Sequence, residues 1–187
     1  MLSLSPKPRI VAAETRPPLV RWHADEAVCR KIERFGVYWR ALATVRGGVP
    51  TRRDFDPAAV PALLPNLLLI EARGESGRNR VRLAGSCVAA AMGSEITGYE
   101  LQNLPREDGV RALAAGVELC LSQQRPIPGE FTLAAGGSQR AIAGFRFLAA
   151  PLAATRAAPA MAVVLAVFVA FDGREVSPQW LGMPTVI

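Results

Sequence analysis

Three cysteines, one histidine and a thin scatter of carboxylates are what this chain offers for chemistry. Cys29, Cys87 and Cys120 stand far apart, and His23 is the single imidazole. A metal site takes its ligands in closely spaced pairs, and no such pair occurs. A nucleophilic hydrolase needs a serine or cysteine beside a base. The sequence has no Gly-x-Ser-x-Gly turn, and His23 precedes the first helical segment. It has no glycine-rich phosphate loop. Glu71 and Glu130 fall in extended segments whose neighbours carry Arg82 and Arg146. That is the pattern of cross-strand charge pairs rather than of an acid and a base. Cys87 and Cys120 fall on apolar helical segments, where a thiol behaves as a small hydrophobe. No catalytic set and no metal set can be assembled, so a non-enzymatic role is expected.

The totals narrow the class further. The chain has 187 residues, half of them hydrophobic, enough for one domain with extensions. Its formal net charge is +6, carried almost wholly by Arg, with Lys only at positions 7 and 31. The charge is spread along the chain, which indicates a solvated basic surface; a nucleic-acid footprint needs one clustered face. The alternative, a basic nucleic-acid-associated regulator, would rest on Arg9, Arg16, Arg21, Arg30, Lys31 and Arg34. An odd cysteine count argues for a reducing compartment. No apolar core follows Lys7 and Arg9, as a secretory signal requires, and no membrane span is expected. A cytoplasmic protein is the expectation.

The elements that must position these residues centre on 160–171. This run has no charge and is rich in Val and Phe. Its β-branched and aromatic content favours a strand. A strand apolar at every position has to be covered on both faces. Residues 1–22 hold four prolines and suggest an extended arm. Within 23–49, a helix from Asp25 to Val45 is predicted, capped by Asp25 and ended by Gly47-Gly48. Val28, Ile32, Phe35, Trp39 and Leu42 give it one apolar seam. That seam can pack on the domain's own sheet, join two subunits, or do both.

The core, 50–172, should open with a short helix from Pro57 to Leu64, with Asp56 as its cap. A hairpin of 66–72 and 79–84 follows, turning at 74–77. Helices are expected at 85–92 and 105–124, then strands at 127–134, 140–152 and 160–171, with a turn at Gly136-Gly137. Residues 173–187 suggest an irregular tail. Helices set between a hairpin and a three-strand meander give an α+β domain on a five-stranded antiparallel sheet. The middle helices would cover one face and the N-terminal helix the other.

This order resembles the PAS fold, and more narrowly a family of stand-alone PAS-like proteins found mainly in α-proteobacteria. The residues that carry the likeness are Tyr38-Trp39-Arg40, then Arg52-Arg53-Asp54-Phe55-Asp56-Pro57 leading to Leu63-Leu64-Pro65-Asn66-Leu67. Arg82-Leu83-Ala84-Gly85-Ser86 and Gly93-Ser94-Glu95-Ile96-Thr97-Gly98 complete the set. Ser86 stands where the family has Thr and keeps a hydroxyl able to cap the next helix. The resemblance implies a last strand in the middle of the sheet. It also implies a sensory or regulatory module that binds a small molecule or a protein partner and often dimerises through an N-terminal helix.

Cofactors can be tested against that likeness. Haem-binding PAS domains usually supply a His from the long helix, and His23 is far from it. The run Gly77-Arg78-Asn79-Arg80 resembles the reactive-cysteine motif of light-sensing flavin domains, but Arg80 stands where the Cys belongs. No cofactor is therefore expected. The candidate ligand site is an apolar pocket walled by Met92, Val117, Cys120, Leu121, Phe145 and Phe147. Expected partners are a second copy of the chain, a signalling protein and a small apolar ligand, with neither membrane nor nucleic acid.

Overall fold

The computed structural model describes residues 25–72, 78–104, 107–132, 142, 144–170 and 172–176. Helix α1 spans Glu26–Arg46. The Asp25 carboxylate accepts from the Ala27 and Val28 amides, satisfying two of the helix's open donors. At the far end Gly47 takes φ 72°, a left-handed turn that costs glycine little.

Five strands follow: β1 Leu67–Glu71, β2 Arg80–Ala84, β3 Ile127–Thr132, β4 Gly144–Leu152 and β5 Met161–Val169. All neighbours are antiparallel, in the order β2-β1-β5-β4-β3. Helices α2, Ser86–Met92, and α3, Glu107–Gln123, lie between β2 and β3 in sequence. The turns expected at 74–77 and 136–137 lie outside the described residues.

Every residue of β5 is buried, because this central strand is covered on both sides. Ala162, Val164, Ala166 and Phe168 face the layer built with α2 and α3. Met161, Val163, Leu165, Val167 and Val169 face the layer built with α1. The period of two is intact, but both phases are apolar, so no alternation shows in the sequence.

The α1 seam meets the second layer. Val28, Phe35 and Trp39 are buried there, with Ile32 and Leu42 half-buried against it. The Trp39 indole Nε1 donates to the Pro151 carbonyl over 2.9 Å, which pins the helix to β4. Gly36 allows the close approach, since a Cβ there would sit 3.3 Å from the Leu148 side chain.

Two expectations change. Residues 57–66 form two 3₁₀ turns, Pro57–Ala59 and Pro61–Asn66, in place of one short helix. Pro57, Pro61 and Pro65 each lack an amide hydrogen, and their spacing of four removes the bonds that an α-helix would use. Asp56 still caps the first turn through the Ala58 amide. The second change concerns Ser86. Gly85 holds the N-cap position of α2, with no side-chain cap bond, so the Ser86 hydroxyl does not serve as the cap.

Candidate functional site

The candidate pocket lies between α3 and the inner face of β4. Val117 and Cys120 are fully buried there, and Leu121 is partly buried against the same layer. Phe147 fills the space between α3 and β3. A Cβ built on Gly116 would lie 2.5 Å from its ring, and one on Gly129 2.1 Å away. Two glycines on facing elements therefore make room for one phenyl ring. Phe145 packs beside it, within 5.6–6.0 Å of Phe131, Phe147 and Phe168, centroid to centroid.

Beside these rings lies a void of about 20 Å³. Leu68, Val88, Met92, Leu113, Phe145 and Phe168 are among its walls. That holds about one water-sized sphere, against the 300–1,000 Å³ usual for small-molecule sites, and its lining is apolar. Met92 and Phe145 border the void, whereas Val117, Cys120, Leu121 and Phe147 are not among its walls. Sequence reasoning missed Leu68, Val88, Leu113 and Phe168 as walls. For Phe168 the only signal would have been the phase of β5, which an all-apolar strand conceals.

Burial also sets the thiol chemistry. It pushes the Cys120 thiol up to about 12. Cys87 is raised as well, by burial first and then by the Glu175 carboxylate, with Lys31 opposing. The folded chain thus holds the Cys120 proton more tightly than the unfolded chain does. Stability from this source is whole below the thiol's ordinary value of 9.0 and is lost as pH rises toward about 12. Denaturant unfolding measured at intervals from about pH 8 to about pH 11 should show this alkaline decline, and Cys120→Ala should flatten it.

The charged residues of the sheet act as structure. Arg82 pairs with Glu71 at 3.1 Å, and Arg146 with Glu130 at 2.7 Å, as the cross-strand reading expected. Arg80, in the run that resembles the flavin motif, lies in a strand and donates from Nε to the Gly98 carbonyl at 2.7 Å. Among the described residues no three or more His, Cys, Asp or Glu gather as a metal set. His23, the one candidate haem ligand, lies outside the described residues, as do Arg9, Arg16 and Arg21. Arg30 pairs with Glu26, and Lys31 pairs with Glu175. Among the described residues no helix is long and apolar enough to cross a membrane.

A second surface comes from α1. With its seam against the sheet, the helix turns Val37, Ala41 and Val45 outward, spaced four apart; Val37 is 52% and Val45 89% exposed. Tyr38, Ala41, Leu42, Val45, Arg46 and Asp54 line a shallow open groove beside this row. The connector after the helix holds it firmly. The Tyr38 hydroxyl donates to the Asp56 carbonyl and accepts from the Asp56 amide, both at 2.9 Å, and its ring meets Phe55 edge-on. Asp54 accepts from the Thr51 amide and hydroxyl at 2.7 Å and from Arg46 at 2.9 Å. The two Thr51 bonds hold the Asp54 carboxyl below its ordinary range; burial opposes them, and the Arg46 guanidinium adds to the lowering.

Comparison with known protein families agrees with this architecture. The family model described as PAS domain, PAS_5, matches residues 29–165. No curated protein matches the chain. Among solved structures, a domain of an HTR-like protein from Haloarcula marismortui ATCC 43049 is similar, with 10% identity and a TM-score of 0.41. That match covers 59% of this chain and 96% of the other.

Proposed function

The chain belongs to the PAS_5 family of PAS domains, which implies a sensory or signalling module, and from that premise we propose that it signals by protein contact through α1, without catalysis. The observation that carries this reading is a contrast. Among the described residues, the void between α3 and the sheet measures only about 20 Å³, whereas the outer face of α1 presents an apolar row with no cover. A second copy of the chain is the proposed occupant. Residues at i, i+4 and i+8 on one helix form a self-complementary strip, as a two-fold contact requires. The seam of Val28, Ile32, Phe35, Trp39 and Leu42 serves the subunit's own fold in this arrangement, and Val37, Ala41 and Val45 make the contact.

A small apolar ligand enters the same scheme as an effector. It would have to widen the void by displacing Phe145 or Phe168, and so shift the balance between two packings of the sheet and its covers.

The test is sedimentation of the full chain and of the double variant Val37→Asp, Val45→Asp. The wild type should be a dimer at micromolar concentration. The variant should be a monomer with unchanged helix content, since both positions are exposed. A wild type that stays monomeric, or a variant that stays dimeric, would overturn the reading. Native mass spectrometry of the same samples reports any retained small molecule.

A further inference from the structure

Lys31 is the one lysine among the described residues, and it turns inward. Its Nζ lies 2.6 Å from Glu175 Oε1 and 3.3 Å from Asn66 Oδ1. Asn66 is 1% exposed, and its Nδ2 donates to the Ala166 carbonyl at 3.1 Å. The Lys31 and Glu175 side chains are only 29% and 21% exposed. Three parts of the chain meet here: α1, the turn entering β1, and the segment beyond β5. The backbone joins the first to the third as well. The Asp25 amide donates to the Gly173 carbonyl at 3.0 Å. The returning segment is tied to β5 through Val176 to Phe168 and through Ala170 to Arg174, each at 2.9 Å.

We propose that Lys31, Asn66 and Glu175 form an interlock that makes the N-terminal half of α1 and the segment 172–176 dock and release as one unit. A half-buried ion pair depends on both partners. Removing either leaves the other charge poorly solvated, and removing Lys31 also leaves the Asn66 amide oxygen short of a bond, so the element carrying the survivor is driven outward. Releasing α1 strands Glu175, and releasing the segment strands Lys31. Asn66, held by β5, is the fixed post on which both close. The interlock also adjoins the void. Ala166 and Phe168, whose carbonyls receive Asn66 and Val176, both line it. Transmission of a ligand's effect to the two chain ends therefore rests on the function proposed above; the interlock itself does not.

Backbone hydrogen exchange on the full chain without ligand tests it, independently of dimerisation and ligand binding. Lys31→Met should speed exchange at the Ala170 and Val176 amides at least about tenfold, although neither bonds to Lys31. Glu175→Gln should speed exchange at Cys29 and its neighbours by a similar factor, because coupling is reciprocal. Amides in the last two turns of α1 should change by less than about threefold in either variant, and Lys31→Arg should restore most of the protection. If each substitution loosens only the element that carries it, the interlock is overturned. Should Lys31→Met fail to fold, Glu175→Gln read at α1 decides the question alone, since it keeps the side chain's size and removes only its charge.

Discussion

Gly85→Ala is expected to destabilise the protein by at least about 3 kcal/mol, and at physiological temperature to leave little of it folded. A Cβ at this position would lie 2.2 Å from the Leu64 carbonyl oxygen and 2.4 Å from that of Pro65. Both are backbone atoms, so no side chain can swing away to relieve the clash. The Gly85 amide also donates to the Leu67 carbonyl at 2.8 Å, which closes the 3₁₀ turn against the start of α2. Relief would have to come from separating these two segments, and with them the entry to β1 and the exit from β2. Urea unfolding of the variant measures the loss. A change below about 1 kcal/mol would show that the turn and α2 are not held in contact here.

Phe35→Asp should have an effect at least as large, more than about 4 kcal/mol. The ring is fully buried between α1 and the sheet, so the change empties a large volume and leaves a carboxylate among apolar side chains. The expected product is a chain whose α1 no longer covers the sheet, with the β5 residues Val163, Leu165 and Val167 opened to water. Enhanced binding of a hydrophobic dye and a lowered unfolding midpoint are the readouts. A variant of wild-type stability would mean that α1 contributes little to the cover. The contrast with the outer row matters for interpretation. Substitutions at Phe35 or Trp39 report on folding of the subunit, while those at Val37 and Val45 report on association.

Much of the architecture was legible before any coordinates. The run ending near Phe171 had no polar phase, and a sheet strand of that kind has to be covered on both faces. Asp25, the 4-3-4-3 seam and Gly47-Gly48 marked α1 to within a residue at each end. The pairing of Arg82 with Glu71 and of Arg146 with Glu130 followed from their strands. Caps and turns inside proline-rich stretches were less legible. Ser86 was a plausible cap by type, but the backbone placed Gly85 there because only hydrogen fits beneath the Leu64 and Pro65 carbonyls. The interlock was out of reach. Lys31 and Glu175 are 144 positions apart, and nothing local links them.

Composition and periodicity by themselves determined the kind of fold this is: an α+β architecture with a doubly covered central strand. These are properties of residue type and spacing, which act over a few turns or one strand pair. The tertiary structure decided how much room the core retains and which faces are left over. Phe147 lies over Gly116 and Gly129 and closes most of the expected pocket, and α1, by committing its seam to the sheet, leaves Val37, Ala41 and Val45 outside. Both outcomes depend on how side chains from distant segments share one volume, and no local pattern in the chain encodes that fit.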